Sequence, residues 1–543
     1  MLFASYLEQV RGLLDDGVDV LLIETAQDLL QIKVVINACL EALSERSLTT
    51  DDVPIMTQVT IETTGTMLLG TEISAAAVAL GNYPIMSMGL NCATGPTQMA
   101  EHVQWLGRHW PGMISVAPNA GMPALVEGKT VYPLAPEPFA DAMMRFVEES
   151  GVNIVGGCCG TTPDHIVVLV QRIRDREPAT VKKQAYESGC TSLYGAVEHD
   201  QDVSILNIGE RCNASGSRKF KRLLGEEDLD GIMSLAKGQF KEGSHVIDVN
   251  VDCVGRDNAA DMRTLVSRFA RELTTSLMLD STQPATIEAG SKAAAGKCLI
   301  NSVNLEDGEE KFAAMCNLAR HYGAGLVLGC RDEDPVEAMA RTADRNFDIA
   351  ARMRKLAVSK YGIDERDILF DPLVLPVSTG MDKDRHSAFE TIEGTRRIAQ
   401  VFPNCPITCG LSNVSFGLKP AARVVLNSVM LHELVRAGMA SAIVHVSKIL
   451  PETKIDDAQW QSALDLIYDR CAPAPVTLRD GTVTDDPLQI FINLFDDADA
   501  TVTQKQPISD LPLEERLRTH IIDGDKQHLI ETLEEALRKY SAL

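Results

Sequence analysis

Long apolar runs and positive charge are both scarce in this chain of 543 residues. No stretch approaches the roughly 18 consecutive apolar residues of a membrane-spanning helix, and the amino terminus lacks a basic region followed by an apolar segment and a cleavage site. Lysines and arginines number 51 against 76 aspartates and glutamates, so the formal charge is −25. Such a surface repels nucleic acids and anionic membranes. We therefore expect a cytoplasmic protein that binds neither nucleic acid nor membrane.

The length and the cysteine count limit the class of protein further. The length exceeds what one hydrophobic core usually organises, and 45% hydrophobic residues supply material for two or more cores. Thirteen cysteines is an odd count in a long chain. It fits reduced thiols and metal ligation better than a disulfide framework.

Short apolar runs alternate with helix-like segments, a pattern typical of βα units around a parallel sheet. The first part has five predicted strands: Val18 to Glu24, Ile55 to Ile61, Ile85 to Asn91, Met113 to Ala117 and Asn153 to Val155. The second part has eight: Leu206 to Gly209, His245 to Asn250, Ser276 to Asp280, Cys298 to Val303, Gly325 to Gly329, Asp367 to Asp371, Pro406 to Gly410 and Ser441 to Val446. Eight βα units close a barrel.

The sequence therefore predicts an α/β protein with two (β/α)8-type barrels in tandem, the first incomplete, followed by a helical hairpin at the carboxyl end. The hairpin rests on helix-period apolar residues on either side of Asp523-Gly524-Asp525. The predicted limits are a partial first barrel at 1–175, a linker at 176–203, a second barrel at 204–470, a linker at 471–508 and the helical segment at 509–543.

Three cysteines follow short apolar runs at the ends of two predicted strands. Cys92 comes after the run that begins at Ile85, and the adjacent pair Cys158 and Cys159 follows Val152 to Val155. Three thiolates at strand ends can hold zinc and leave its fourth position open for a substrate thiol such as homocysteine. Packing is the alternative, because free cysteine is among the most buried residue types. Glycines on both sides of the pair favour the metal site, since they let backbone approach a ligand closely.

Polar residues recur where the strands of the second series end. Carboxylates and amides that converge from several strands can hydrogen-bond the amino, imino and carbonyl edge of a flat heterocycle such as a pterin. Any one of them alone could be a loop cap or a turn residue. The candidates are Glu210, Asn213, Asp248, Asn250, Asp280, Asn301, Asp371 and Asn413.

Two groups of motifs resemble known families. Met88 to Pro96, Val116 to Gly121 and Asn153 to Pro163 resemble the zinc motifs of homocysteine S-methyltransferase domains. Ile208 to Ser217, Ile247 to Asn250, Asp280-Ser281 and Gly410 to Ser415 resemble the pterin-binding domain of methyltetrahydrofolate:corrinoid methyltransferases. Leu513 to Leu517 and Ile521 to Asp525 are similar to the start of a helical cap over a corrinoid. In this order the motifs resemble the cobalamin-dependent methionine synthase family over nearly the whole chain.

The resemblance implies methyl transfer from 5-methyltetrahydrofolate, through a corrinoid, to zinc-bound homocysteine, which gives methionine and tetrahydrofolate. It implies zinc ligation by Cys92, Cys158 and Cys159. It also implies pterin binding by Asp280, Asn301 and Asp371, with Asn413 near N5 of the pterin. A tertiary amine is a poor leaving group, so a hydrogen bond to N5 assists departure of the methyl group, and Asn413 is the catalytic candidate. Glu24 and Asn119, at strand ends, are candidates for the amino and carboxylate groups of homocysteine.

Parts of the family pattern are absent from this sequence. The Asp-x-His-x-x-Gly cobalt-ligand motif is missing, as are the Rossmann-like and activation domains, so we expect a corrinoid-binding domain or protein to be supplied separately. Related first barrels also begin with further strands and a glycine-rich loop. We therefore expect a fragment or a split subunit.

Two alternatives stay open at this point. One is a truncated folate-binding protein without full catalysis. The other is an enzyme similar to dihydropteroate synthase, in which the three cysteines have no purpose. Two residues depart from the pterin-domain pattern: Cys212 stands where threonine is usual, and His445 where a less basic polar residue is common.

Overall fold

The computed structural model describes residues 1–177, 188–202, 204–496, 509, 511–522 and 528–540. The predicted turn at Asp523-Gly524-Asp525 and parts of both predicted linkers lie outside the described residues. Elsewhere, strands and helices alternate along most of the chain, as expected for an α/β protein.

The first part of the chain forms one parallel sheet of five strands in the order β1-β2-β3-β4-β7. Its elements are α1 (Leu2–Asp15), β1 (Leu21–Ala26), α2 (Leu29–Glu45), β2 (Ile55–Val59), α3 (Ile73–Leu80), β3 (Ser87–Asn91), α4 (Pro96–His109), β4 (Met113–Ala117), β5 (Ala124–Val126), β6 (Lys129–Val131), α5 (Pro136–Ser150), β7 (Ile154–Val155) and α6 (Pro163–Ile173). All five predicted strands are present: β4 has the predicted limits, β2, β3 and β7 are shorter, and β1 begins and ends later than predicted. The antiparallel hairpin β5–β6 was not predicted, because its short strands are fully exposed and carry no apolar alternation.

Burial and capping explain why these segments fold as they do. Every residue of β2 and β3 is buried, as expected for central strands of a parallel sheet with helices packed against it. Helix α2 begins at Asp28, whose side chain accepts the backbone N–H groups of Leu30 and Gln31. Helix α6 begins with a capping box between Thr162 and His165.

A second parallel sheet contains seven strands in the order β15-β14-β13-β12-β11-β10-β16. An antiparallel hairpin of β8 and β9 precedes it. The elements are β8 (Gly189–Thr191), β9 (Ala196–Glu198), β10 (Leu206–Asn213), α7 (Arg218–Gly225), α8 (Leu229–Lys241), β11 (Val246–Asn250), α9 (Asn258–Glu272), β12 (Ser276–Asp280), α10 (Pro284–Ser291), β13 (Leu299–Val303), α11 (Glu309–Tyr322), β14 (Gly325–Gly329), α12 (Ala343–Lys355), β15 (Ile368–Asp371), α13 (Ser387–Val401), α14 (Pro420–Arg436) and β16 (Ser441–Val444).

The segment predicted as the seventh strand of this sheet, Pro406 to Gly410, is not a regular strand. It still bonds on both sides: the Pro406 carbonyl accepts the Phe370 N–H at 2.9 Å, and Gly410 forms an isolated parallel bridge with Ile443. Seven strands and this segment supply the eight positions of a (β/α)8 barrel. The predicted fold class is thus confirmed, including the incomplete first barrel.

The last elements are α15 (Asp457–Ile467), β17 (Val476–Thr477), β18 (Val483–Thr484), α16 (Pro487–Leu494), α17 (Leu513–Ile522) and α18 (Leu529–Lys539). Helices α17 and α18 contact each other through the ion pair Arg516–Glu535 at 2.6 Å and a hydrogen bond of 3.1 Å between the His520 and Thr532 side chains. They form the predicted helical hairpin. The predicted linker 471–508 contains β17, β18 and α16, which were not predicted.

The chain divides into two compact units. One comprises Met1–Glu333, Ala351–Phe370 and Asn404–Pro406, and the other comprises Asp334–Ala350, Asp371–Pro403 and Ile407–Leu543. The predicted domain limits given above stay predictions. None of the helices in the described part of the chain combines the length and the apolar character that a membrane crossing requires.

Candidate functional site

The three predicted cysteines lie together at the carboxyl ends of β3 and β7. The Sγ atoms of Cys92 and Cys159 are 3.8 Å apart, those of Cys158 and Cys159 are 4.0 Å apart, and all three fall within 4.8 Å of one another. Cys92 and Cys158 are half-buried, whereas Cys159 is exposed. In a tetrahedral site with zinc–sulfur bonds of about 2.3 Å, the sulfurs are separated by roughly 3.8 Å. The donor set and its spacing therefore fit a zinc ion.

The loop after β4 connects the two cysteine segments. The Cys92 N–H donates to the Ala117 carbonyl at 3.2 Å, and the Cys158 N–H donates to the Pro118 carbonyl at 2.8 Å. The amide oxygen of Asn119, which is buried, accepts the Cys159 N–H at 3.0 Å. The end of β4 and the loop after it thus bond the backbone N–H groups of all three cysteines.

Two features of the thiols indicate a specialised site. Cys92 has a left-handed backbone with φ of 61°, a conformation that is uncommon outside glycine and clusters at functional sites. Burial, followed by the charges of Cys92 and Cys159, raises the pKa of the Cys158 thiol to about 12. A bound divalent cation reverses that balance and favours the thiolates.

Glu24 and Asn119, the predicted homocysteine residues, take different positions around the thiols. Glu24 is exposed on β1, and its Oε2 lies 3.5 Å from the amide nitrogen of Asn91. Asn91 also bonds Thr25, accepting its N–H at 2.8 Å and donating to its hydroxyl at 2.9 Å. Asn91, which directly precedes Cys92 and is fully buried, was not predicted as a site residue. Its place in the Asn91-Cys92 motif was the available signal.

Five of the predicted pterin residues line one end of the second sheet. The parallel register pairs Asn213 with Asn250, Asn250 with Asp280 and Asp280 with Asn301. The Asn213 amide nitrogen donates to Asp248 at 2.8 Å and to Asp280 at 2.9 Å. The structure therefore brings amides and carboxylates from four neighbouring strands, β10 to β13, into one cluster.

In this cluster Asp248 is buried and Asp280 is half-buried, which changes the acidity of both carboxylates. Burial raises the pKa of Asp280 to about 7, and the charge of Asp252 adds to the effect. Burial and then the Asp280 charge raise the pKa of Asp248 well above its usual range. The Oδ1 atom of Asp248 is buried and has no hydrogen-bond partner among the described residues. An acceptor in that state fits the N–H groups of a bound heterocycle.

Asp252 was not predicted either. Both of its carboxylate oxygens accept the Ser281 hydroxyl at 2.9 Å, which places a further charge beside Asp280. It lies two residues beyond β11, where sequence alone does not distinguish a site residue from a turn residue. Glu210 lies within β10 and is half-buried, and its charge contributes to the raised pKa of Asp248.

Asp371 and Asn413 belong to the second compact unit. Asp371 is the last residue of β15, and burial raises its pKa to about 6 although its Oδ1 accepts the Leu373 N–H at 2.9 Å. Asn413 lies in a single helical turn, Leu411–Ser415, and is exposed.

Two residues were noted above as departures from the pterin-domain pattern. Cys212 is buried, with its sulfur 3.3 Å from the Gln239 amide nitrogen. The His445 ring hydrogen-bonds the Ser447 hydroxyl.

Two segments of the chain match models of known protein families. Residues 1–173 match the family model described as homocysteine S-methyltransferase, and residues 209–445 match that described as pterin binding enzyme. The chain is 43% identical over 540 residues to the methionine synthase of Mycobacterium tuberculosis (strain ATCC 25618 / H37Rv), and 42% identical over 543 residues to that of Mycobacterium leprae (strain TN). Each alignment covers 98% of this chain and 44% of the relative, so the chain spans less than half the length of these proteins.

Solved structures of low sequence identity also match. The dihydropteroate synthase of Burkholderia cenocepacia is 20% identical, with a TM-score of 0.33 over 51% of this chain and 93% of that chain. The Xanthomonas albilineans dihydropteroate synthase in complex with 7,8-dihydropteroate is 15% identical, with a TM-score of 0.34 over 49% of this chain and 92% of that chain.

The chain thus combines a domain of the homocysteine S-methyltransferase type with a domain of the pterin-binding type. Over nearly its whole length it is similar to methionine synthases, which confirms the resemblance predicted from its motifs.

Proposed function

We propose that this chain is the substrate-binding part of a methyltransferase of the methionine synthase type, which moves a methyl group from 5-methyltetrahydrofolate to homocysteine by way of a corrinoid. The observation that carries the proposal is the cluster of Cys92, Cys158 and Cys159 within 4.8 Å at two strand ends. A row of buried carboxylates and amides in the second sheet of the same chain supports it.

The three thiols fit a zinc ion. At neutral pH, bound zinc would hold a substrate thiol as a thiolate, which is the nucleophilic form. The role of the chain is to position that thiol. Asn119 accepts the Cys159 N–H, and Asn91, which precedes Cys92, lies 3.5 Å from the Glu24 carboxylate. The exposed Glu24 carboxylate is suited to the amino group of homocysteine.

The second sheet is suited to the folate. Asp248, Asp280 and Asp371 offer carboxylate acceptors, and Asn301 offers both an acceptor and a donor, for the edge of the pterin ring. Asn413 donates a hydrogen bond to N5 that strengthens as the methyl group leaves. The corrinoid supplies the cobalt chemistry, and its binding module comes from another domain or protein.

Two half-reactions test the proposal. With zinc-supplemented protein we expect about one zinc per chain and methyl transfer from 5-methyltetrahydrofolate to added cob(I)alamin. Thiol-dependent demethylation of methylcobalamin by homocysteine should be slow, because the incomplete first barrel leaves homocysteine poorly positioned. Cys92→Ser, Cys158→Ser and Cys159→Ser should each lose the zinc and the second half-reaction. Cys471→Ser, at an exposed cysteine outside the cluster, is the matched control. Protein that binds neither zinc nor folate would contradict the proposal, and folate binding without transfer would favour the non-catalytic alternative.

A further inference from the structure

The hairpin of β5 and β6 brings a tyrosine to the three thiols. Tyr132 directly follows β6 and is half-buried, and its hydroxyl lies within interaction range of the Cys159 side chain. Cys92 and Cys158 are also among its electrostatic neighbours. The phenol therefore lies beside all three candidate ligands, although it is not one of them.

The backbone after Cys159 is shaped to receive the Tyr132 ring. A Cβ atom on residue 160 would lie 2.2 Å from Cγ and 2.3 Å from Cβ of Tyr132, so no side chain larger than that of glycine fits. Gly160 also has φ of +77°, which side chains rarely adopt. The ring thus packs directly against the peptide that follows Cys159.

Two hydrogen bonds at Leu134, two residues after Tyr132, hold this segment in place. The Leu134 N–H donates to the Ala120 carbonyl at 3.0 Å, and the Leu134 carbonyl lies 2.9 Å from Nε2 of the buried His165. Ala120 in turn donates its N–H to the Cys159 carbonyl at 2.9 Å. Tyr132 is therefore fixed relative to the cysteine loop and does not depend on the exposed hairpin tip for its position.

We propose that Tyr132 is a positioning residue of the metal centre, whose hydroxyl donates to the Cys159 sulfur, fixes that ligand and reduces its charge. The inference deepens the proposed function and rests on zinc binding by the three thiols. Groups that hydrogen-bond a metal ligand tune metal affinity, and their loss typically lowers it by about 10- to 100-fold.

The test compares Tyr132→Phe with Tyr361→Phe. The control also loses a tyrosine hydroxyl bond, since the Tyr361 hydroxyl lies 2.8 Å from Glu309 in the second barrel. Zinc affinity is measured by competition with a chromophoric chelator, and the sulfur-to-metal charge-transfer band is recorded after substitution with Co(II). We expect Tyr132→Phe to bind one zinc with affinity lowered about 10- to 100-fold and to shift the band, whereas Tyr361→Phe matches the wild type in both.

A second variant changes the same packing contact from the Gly160 side, and thermal unfolding identifies any variant with a folding defect. Gly160→Ala should displace the Tyr132 ring and lower zinc affinity in the same direction, with thermal unfolding recorded for every variant. A folded Tyr132→Phe protein with wild-type zinc affinity and an unshifted band would overturn the role of Tyr132 while leaving the proposed function intact. Absence of zinc from the wild-type protein would instead overturn the proposed function.

Discussion

At the scale of single residues, burial controls the charge of the carboxylates in the second sheet. It raises the pKa of Asp371 to about 6 and that of Asp280 to about 7. A carboxylate must be ionised to accept hydrogen bonds from both N–H groups of a pterin edge. We therefore expect the affinity for 5-methyltetrahydrofolate, measured by calorimetry, to rise as the pH increases through 6 and 7.

The matched variants are Asp280→Ala and Asp371→Ala. Each should weaken binding by about 1 to 3 kcal/mol at neutral pH, because pterin donors are left unpaired, and each should flatten the pH dependence. Asp480→Ala removes an exposed carboxylate in the loop between β17 and β18 and should change nothing. Wild-type affinity in both site variants would contradict the pterin assignment.

A variant at Asn413 distinguishes an effect on folate binding from an effect on the rate of methyl transfer. Because its hydrogen bond to N5 matters most as the methyl group departs, Asn413→Ala should lower the rate of methyl transfer to cob(I)alamin by roughly 100-fold and change folate affinity far less. Stopped-flow spectroscopy of the cobalamin and calorimetry of the folate give the two quantities. Equal losses in rate and affinity would make Asn413 a binding residue only.

At the scale of elements, a buried ion pair joins two strands of the second sheet below their amino ends. Lys297, before β13, and Asp367, before β15, are 2.5 Å apart with side-chain exposures of 0% and 2%. The Lys297 backbone also pairs with Thr191 of β8. Lys297→Met leaves the Asp367 carboxylate buried and unpaired, which should lower the free energy of unfolding by about 3 to 5 kcal/mol.

Urea unfolding checks this expectation, and the double variant Lys297→Met with Asp367→Leu is the control. Replacement of both partners by apolar residues is often neutral or stabilising, so the double variant should recover most of the loss. A double variant as unstable as the single one would show that the loss comes from packing and not from the unpaired charge.

Buried strands such as β2 and β3 were predictable because both of their faces are covered, which leaves short runs rich in apolar residues. The segment 406–410 has such a run but forms only an isolated bridge, a distinction that depends on its neighbours. Hairpin β5–β6 has no apolar alternation, so neither it nor the position of Tyr132 beside Cys159 could be predicted.

At the scale of the whole molecule, one chain holds a three-thiol cluster on one sheet and a cluster of buried carboxylates and amides on another. The thiols were predictable because each follows an apolar strand within a glycine-rich motif. The links Asn91–Glu24 and Ser281–Asp252 were not, because they join residues distant in sequence. The chain is similar to methionine synthases over 98% of its length, and the proposed function requires both clusters.

Methyl transfer from 5-methyltetrahydrofolate to cob(I)alamin by the full chain, followed as the change in the cobalamin spectrum, tests the proposed function of the second barrel. We predict catalysed transfer that is strongly reduced in Asn413→Ala and Asp280→Ala and unchanged in Asp480→Ala. Folate binding with no transfer above the uncatalysed rate would contradict it.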